Sequence, residues 1–256
     1  CIRQGKRGTC SATTVQYIHA TSDPADYVRV MRGLTDESGE VTLQTGKKLT
    51  RPDSALPADD SGRRTADRIY QTSAMNHASG RYDNNILQPD GRGGHVGPDG
   101  SFSYDGLTPK QGNELLNDFL AGNYEARDVG DVLRLVGRDS PDGQRVIQKF
   151  EDHVRAMRAQ GEPVHVGMQF ANGQHSRHAV SVENVDDQFV YIRNQWDMHD
   201  QNLYSSSQVR REALGEGRSR IRRDEFYARL EVYQKRLTPE EVAWTGTAEK
   251  IAHHRL

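Results

Sequence analysis

Hydrophobic positions are spread unevenly along the chain, and their spacing sets the elements it predicts. Residues 10–20, CSATTVQYIHA, place Val15, Ile18 and His19 on a short half-buried helix that begins at Cys10. From about Thr35 to Gly106 aliphatic residues thin out and Gly, Asp, Ser, Arg and Pro take over, predicting long polar loops with short strands or helical turns among them. Thr108-Pro109 then supplies an N-cap followed by proline in the first turn. Leu115, Leu116, Phe119 and Leu120 recur at helical spacing as far as Gly122-Asn123. Ser140-Pro141 repeats that start signal, and Val146, Ile147, Phe150, Val154 and Met157 share one face up to a stop at Gly161.

At Pro163 the helical period gives way to strict alternation. Val164, Val166, Met168 and Phe170 alternate with His165, Gly167 and Gln169, the pattern of a half-buried strand. Residues 178–185 and 188–194 read as two further strands, joined across Asp186-Asp187 in a hairpin. Phe226, Leu230, Tyr233 and Leu237 predict a helix from about Arg223, and Thr238-Pro239-Glu240-Glu241 caps a last one. Helices followed by adjacent antiparallel strands predict an α+β fold with segregated lobes and a cleft between them, rather than a doubly wound parallel sheet. No internal repeat is visible.

The chain has 256 residues, enough for one large domain or two lobes. Lys and Arg number 34 against 36 Asp and Glu, so the net charge of −2 gives no general attraction to nucleic acid or an anionic membrane. Only 34% of residues are hydrophobic, and no run approaches the ~18–20 apolar residues of a membrane span, so a soluble protein is expected. Two cysteines allow at most one disulfide, which excludes a disulfide framework and leaves a thiol available as a reagent. The chain opens at Cys1 without Met or a basic-then-apolar leader, so targeting information is expected outside these residues.

Cys10 lies in Gln4-Gly5-Lys6-Arg7-Gly8-Thr9-Cys10-Ser11-Ala12, where a glycine-containing loop runs into a helix N-terminus. Unpaired N–H groups and the positive end of the helix dipole favour a thiolate, which predicts a thiol pKa below the free value of about 8.5. A nucleophile also needs a base and a group that orients it. His178 opens the second strand and Asn194 ends the third, and an antiparallel hairpin brings them to one end of the sheet. There an amide oxygen can accept from one imidazole N–H while the other nitrogen faces the cleft. Singly, each residue has a plainer reading: a structural cysteine, a strand-edge histidine, a turn-forming asparagine.

Together these segments resemble the papain-like cysteine peptidases. Gln4 precedes Cys10 by six residues, as the family's oxyanion-hole glutamine precedes its nucleophile. Gly8-Thr9-Cys10-Ser11 is similar to the family's Gly-Ser-Cys step, His178-Ala179-Val180 to its His-Ala-Val, and Ile192-Arg193-Asn194-Gln195-Trp196 to its Ile-Lys-Asn-Ser-Trp. The His178 to Asn194 interval matches as well. The resemblance covers about 1–20 and 163–197 directly. It departs at Arg7, where the family has a paired cysteine, and at Ser11, where it has an aromatic. The other disulfide cysteines are absent, and the Cys10 to His178 interval exceeds the usual ~130–150 residues, with 35–106 as the place for the extra length. Divergent bacterial secreted peptidases, translocated effectors and toxin domains are the better comparison.

The resemblance implies a single papain-like catalytic domain over 1–256, with a helical lobe at 1–162 carrying a polar insertion at 35–106, and a sheet lobe at 163–256. It implies a thiol hydrolase, a cysteine peptidase with Cys10 as nucleophile, His178 as acid and base, Asn194 orienting the imidazole, and Gln4 with the Cys10 N–H in the oxyanion hole. Gly8 and Trp196 are expected at the substrate, with Trp196 shielding the His178–Asn194 bond. No cofactor, metal or nucleic acid is expected. The expected partner is a protein or peptide substrate, with an inhibitory pro-segment or cognate inhibitor outside the chain and a secreted or translocated location. Glutamine deamidation or transglutamination, cell-wall peptide amidase action and a non-catalytic interaction module are the alternatives.

Rival assignments have less behind them. Cys1 could act as an N-terminal nucleophile, but residues 20–160 lack the alternating strands of that fold. Asp197 competes with Asn194 as orienting group. His175, His178, His199 and Asp200 lack tight metal-ligand spacing, and His253-His254 read as tail residues. Arg218, Arg220, Arg222 and Arg223 read as a solvated loop and helix start. Gly91, Gly93, Gly94 and Gly97 do not form a phosphate loop.

Overall fold

Cys10–Ser22 forms helix α1, and nearly every side of it is covered: Ser11, Thr13, Thr14, Gln16 and His19 are buried along with Ala12, Val15 and Ile18. Structure is described here for residues 2–87, 93–96, 99–103, 106–170, 177–195 and 211–243 of a computed structural model. Asp23 caps α2 (Pro24–Thr35) by accepting the Asp26 N–H, with proline in the first turn. A hairpin of β1 (Glu40–Thr42) and β2 (Lys48–Thr50) follows, then α3 (Thr65–Ser79). A small antiparallel sheet comes next, made of β3 (Tyr82–Leu87), β4 (Gly93–Val96) and β5 (Phe102–Ser103). Helix α4 (Pro109–Leu120) starts at a capping box in which Thr108 and Gln111 satisfy each other's backbone. Ile18, Leu34, Tyr70, Met75, Leu116 and Phe119 join these elements in one core.

The second core is built on a sheet. In chain order its elements are β6 (Tyr124–Asp128), α5 (Gly130–Val136), α6 (Pro141–Ala159), β7 (Val164–Gln169), β8 (Arg177–Val185), β9 (Phe189–Arg193), β10 (Arg211–Gly215), β11 (Arg218–Arg222), α7 (Arg223–Arg229) and β12 (Leu230–Arg236). The spatial order is β10-β11-β9-β8-β7-β12-β6, antiparallel throughout. Alternation assigns the faces. Val164, Val166, Met168, Val180 and Val182 lie in the core with Ile147, Phe150, Val154 and Met157 of α6. His165 and Glu183, at the opposite parity, meet α1 through Ser11 and Tyr17. The sheet is therefore covered on both faces at β7 and β8.

The fold is α+β, as the sequence predicts, and the helices at 109 and 141 and strands β7 to β9 fall where the periodicity puts them. Four expectations need correction. The 35–106 stretch is not mainly loop, since α3 runs through it. Buried Asp67, Arg68, Gln71, Thr72 and Ser73 stand where an apolar stripe would be, so periodicity gives no signal. The helix from Arg223 ends at Arg229, and Leu230–Arg236 is β12, inserted between β7 and β6. Steps of four and three can fit a strand too, because Leu230 and Tyr233 are both buried across the register shift between Leu230 and Val232. Arg218, Arg220 and Arg222 lie on strand β11 beside β9, and the basic run is balanced by Glu212 against Arg220 and Glu151 against Arg223. Finally, α6 belongs with the sheet, so the division between the two cores falls in 124–129 rather than at 162.

Candidate functional site

The segment before Cys10 is held from both cores. The Arg3 N–H donates to Asp67 Oδ2 at 3.2 Å, and the Arg3 carbonyl accepts from Gln71 Nε2 at 2.9 Å, both partners being on α3. The Gln4 N–H donates to the Gln195 carbonyl, just past β9, at 3.0 Å. Gly5 turns the chain at φ +60°, where a Cβ would fall on the Ser61 carbonyl, so glycine is required. Lys6 N–H donates to that same carbonyl at 3.0 Å. Thr9 is the N-cap residue of α1, but its hydroxyl donates to Gln71 Oε1 at 2.9 Å instead of capping the helix.

Cys10 as a residue is half-buried, but its sulfur is turned inward, where the backbone N–H groups of Ala179, Ser11 and Cys10 face it. Burial nevertheless pushes the thiol up, outweighing those donors. This corrects the expectation of a lowered thiol pKa: the helix end is present, but the sulfur lies in too little water for the thiolate to be favoured in the resting state.

His178 is the second residue of β8, one residue before the Ala179 N–H that reaches the sulfur, and Asn194 follows β9. Both are buried, and His178 Nε2 lies 2.9 Å from Asn194 Oδ1. An amide oxygen only accepts, so Nε2 carries the proton of the neutral ring and Nδ1 the lone pair. Asn194 is itself fixed from outside. Its N–H donates to the Gly217 carbonyl at 2.8 Å, and a Cβ on Gly217, at φ +77°, would stand 2.9 Å from the Asn194 carbonyl oxygen. Phe170 meets the His178 ring edge-to-face at 5.0 Å, and the Arg211 guanidinium lies 5.0 Å over the Phe170 ring. Burial lowers the His178 pKa to about 4, with the Asn194 bond opposing it and the Arg211 charge assisting. At neutral pH Cys10 rests as a thiol and His178 as a neutral imidazole.

Gln4 is buried, and its Nε2 donates to the Arg7 carbonyl at 2.8 Å. A second amide hydrogen remains on that nitrogen. Next to Cys10 in the chain, Ser11 Oγ lies 3.1 Å from His165 Nε2, both residues buried.

Cys10, His178, Asn194 and Gln4 thus collect around the start of α1 and the ends of β8 and β9, with Gly8 in the loop between Gln4 and Cys10. Trp196, Asp197, Cys1, His175, His199, Asp200, Gly91, Gly97, His253 and His254 lie outside the described residues. Among the described residues no group of three His, Cys, Asp or Glu could hold a metal ion, and no helix is long and apolar enough to cross a membrane. Sequence reasoning missed Gln71, which bonds to the residues flanking this loop, and Arg211, which acts on His178 across the sheet. No spacing signal marks either. Adjacency to Asn194 was the one available pointer to Gln195. No model of a known protein family matches the chain, and no curated protein matches it.

Proposed function

We propose that the chain is a papain-like thiol hydrolase with its site in a cleft between two lobes, a cysteine peptidase that cleaves peptide bonds through a thioester. The observation that carries this reading is the buried 2.9 Å His178–Asn194 hydrogen bond on the hairpin whose Ala179 N–H meets the Cys10 sulfur. A structural histidine needs no asparagine that leaves its second nitrogen basic, and a structural cysteine needs no donors at its sulfur.

In this reading the neutral His178 takes the thiol proton on Nδ1 as the sulfur attacks the carbonyl carbon. Asn194 holds the ring and stabilises its charged form. Negative charge that develops on the substrate oxygen meets the Cys10 N–H and the remaining Gln4 amide hydrogen. The imidazolium protonates the leaving amine, the thioester remains, and water deprotonated by His178 then attacks it and frees the thiol. The imidazolium forms only during the attack, consistent with a buried His178 that resists protonation until a counter-charge appears. The same steps serve other acyl donors, so substrate class is a separate question.

The test is the pH dependence of iodoacetamide alkylation, mapped to Cys10, in the parent and in His178→Ala. The expected result is labelling at neutral pH faster than a free thiol, lost by about 10²–10⁴-fold in the variant. Labelling that rises only above about pH 8.5 and ignores His178 would remove the chemical basis of the proposal.

A further inference from the structure

Arg7 stands between Gln4 and Cys10, and its side chain is 1% exposed. Its Nη2 donates to Asp60 Oδ1 at 3.0 Å and lies 3.7 Å from Asp59 Oδ2. A second guanidinium, Arg63, is fully buried beside it and donates to Asp59 Oδ2 at 2.6 Å, Asn84 Oδ1 at 2.6 Å and Ser61 Oγ at 2.9 Å. Asp59 accepts further from Asn84 Nδ2 at 3.0 Å and from the Ser61 N–H at 3.1 Å. Burial disfavours the Asp59 anion, but Ser61, Asn84 and Arg63 outweigh it and hold the carboxyl well below the usual range. Two buried guanidiniums cost more than an apolar substitute would, so the cluster is a poor device for stability alone.

What it does fix is a backbone carbonyl. The Arg7 carbonyl accepts from Gln4 Nε2, whereas Gln4 Oε1 is buried with no partner among the described residues. One hydrogen bond therefore sets the plane of the Gln4 amide, and its acceptor belongs to the residue that the acidic loop clamps. The Lys6 N–H and Gly5 contacts with the Ser61 carbonyl tie the same loop down. We infer that Arg7, anchored by Asp59 and Asp60, is a positioning residue that aims the Gln4 amide into the oxyanion hole, an inference that rests on the thiol-hydrolase reading. The clamp takes the place in which the papain-like pattern carries a paired cysteine.

The test compares two reagents at Cys10. Iodoacetamide alkylates sulfur at a saturated carbon, with no oxyanion. p-Nitrophenyl acetate acetylates it: the S–C bond forms, p-nitrophenolate leaves, the thiol proton passes to His178, and the intermediate carries an oxyanion. Gln4→Ala is expected to lower acetylation about 100-fold and leave alkylation within about twofold. Arg7→Ala is expected to lower the acetylation-to-alkylation ratio at least about tenfold, Arg7→Lys to recover most of it, and Arg7→Ala added to Gln4→Ala to lower it no further. An unchanged ratio in Arg7→Ala, or losses that multiply in the double variant, would overturn the inference. Should Arg7→Ala fail to fold, Asp60→Asn takes its place, since the Asp60 side chain is 73% exposed. A lowered ratio with normal alkylation supports the clamp, and an unchanged ratio overturns it. If the parent is neither acetylated nor alkylated faster than a free thiol, the hydrolase reading fails first and takes the inference with it.

Discussion

The two cores hold their halves of the site by different means. On the sheet side, His178 and Asn194 are placed by strands whose inward positions are Val166, Val180, Val182, Val190 and Ile192, all fully buried. On the helical side, Gln4 and Cys10 are placed by buried polar side chains. Gln71 donates to the Arg3 carbonyl and to Gln16 Oε1 and accepts from Thr9, and Gln16 in turn donates to Asp67 Oδ1 at 3.1 Å. Apolar packing is non-directional and tolerates repacking, whereas a buried hydrogen-bond set admits one arrangement and is costly when half broken. His178 and Asn194 therefore stand on a robust frame, and the loop from Gln4 to Cys10 stands on a specific one.

The largest separation of the two should come from Phe150→Ala. Phe150 is fully buried, stacked near Phe226 at 5.9 Å and edge-on to Tyr233 at 5.0 Å. The loss expected is about 3–5 kcal/mol of unfolding free energy, read by urea denaturation. Cys10 alkylation per folded molecule should stay near the parent rate, because Phe150 lies in the sheet core and the buried apolar residues of α1 lie in the other one. A strong fall in that rate would show that the sheet core tunes the site directly.

Gln71→Met is the matching change on the other side. It keeps the volume but leaves the Arg3 carbonyl, the Thr9 hydroxyl and Gln16 Oε1 without their partner, at a cost of about 1–3 kcal/mol. Here the chemical effect should exceed the loss of stability: p-nitrophenyl acetate should react with Cys10 at least about tenfold more slowly, because both ends of the loop lose an anchor. Unaltered acetylation would mean that the polar set is a stability device only.

The same contrast explains what the sequence reveals. Strands β7 to β9 and helices α4 and α6 show themselves through alternation, helical spacing, and Thr108-Pro109 and Ser140-Pro141 starts, because apolar burial leaves a period. His178 and Asn194 inherit that clarity from the hairpin between them. Helix α3 leaves no period, since its buried face carries Asp67, Arg68, Gln71 and Thr72, and pairing between distant polar residues has no local signature. Helix α1 is read partly, through Val15 and Ile18. A helix N-terminus alone predicts a low-pKa thiol, and the burial that reverses it leaves no mark in the local sequence.

The smallest effect should come from Arg211→Gln, and it examines how the sheet tunes His178. Arg211 on β10 places its guanidinium over the Phe170 ring, which packs on His178, although β11, β9 and β8 separate β10 from β7 in the sheet order. Burial is the main reason that His178 titrates near pH 4 instead of 6.5, and the Arg211 charge adds to it. Removing a positive charge favours the imidazolium, so the His178 pKa should rise and the acid limb of Cys10 alkylation should move to higher pH. The rise should be a minority of the whole displacement, since burial remains. A rate–pH profile between pH 3.5 and 7 reads it directly, and an acid limb that moves down would mean that Arg211 acts through Phe170 packing rather than through its charge.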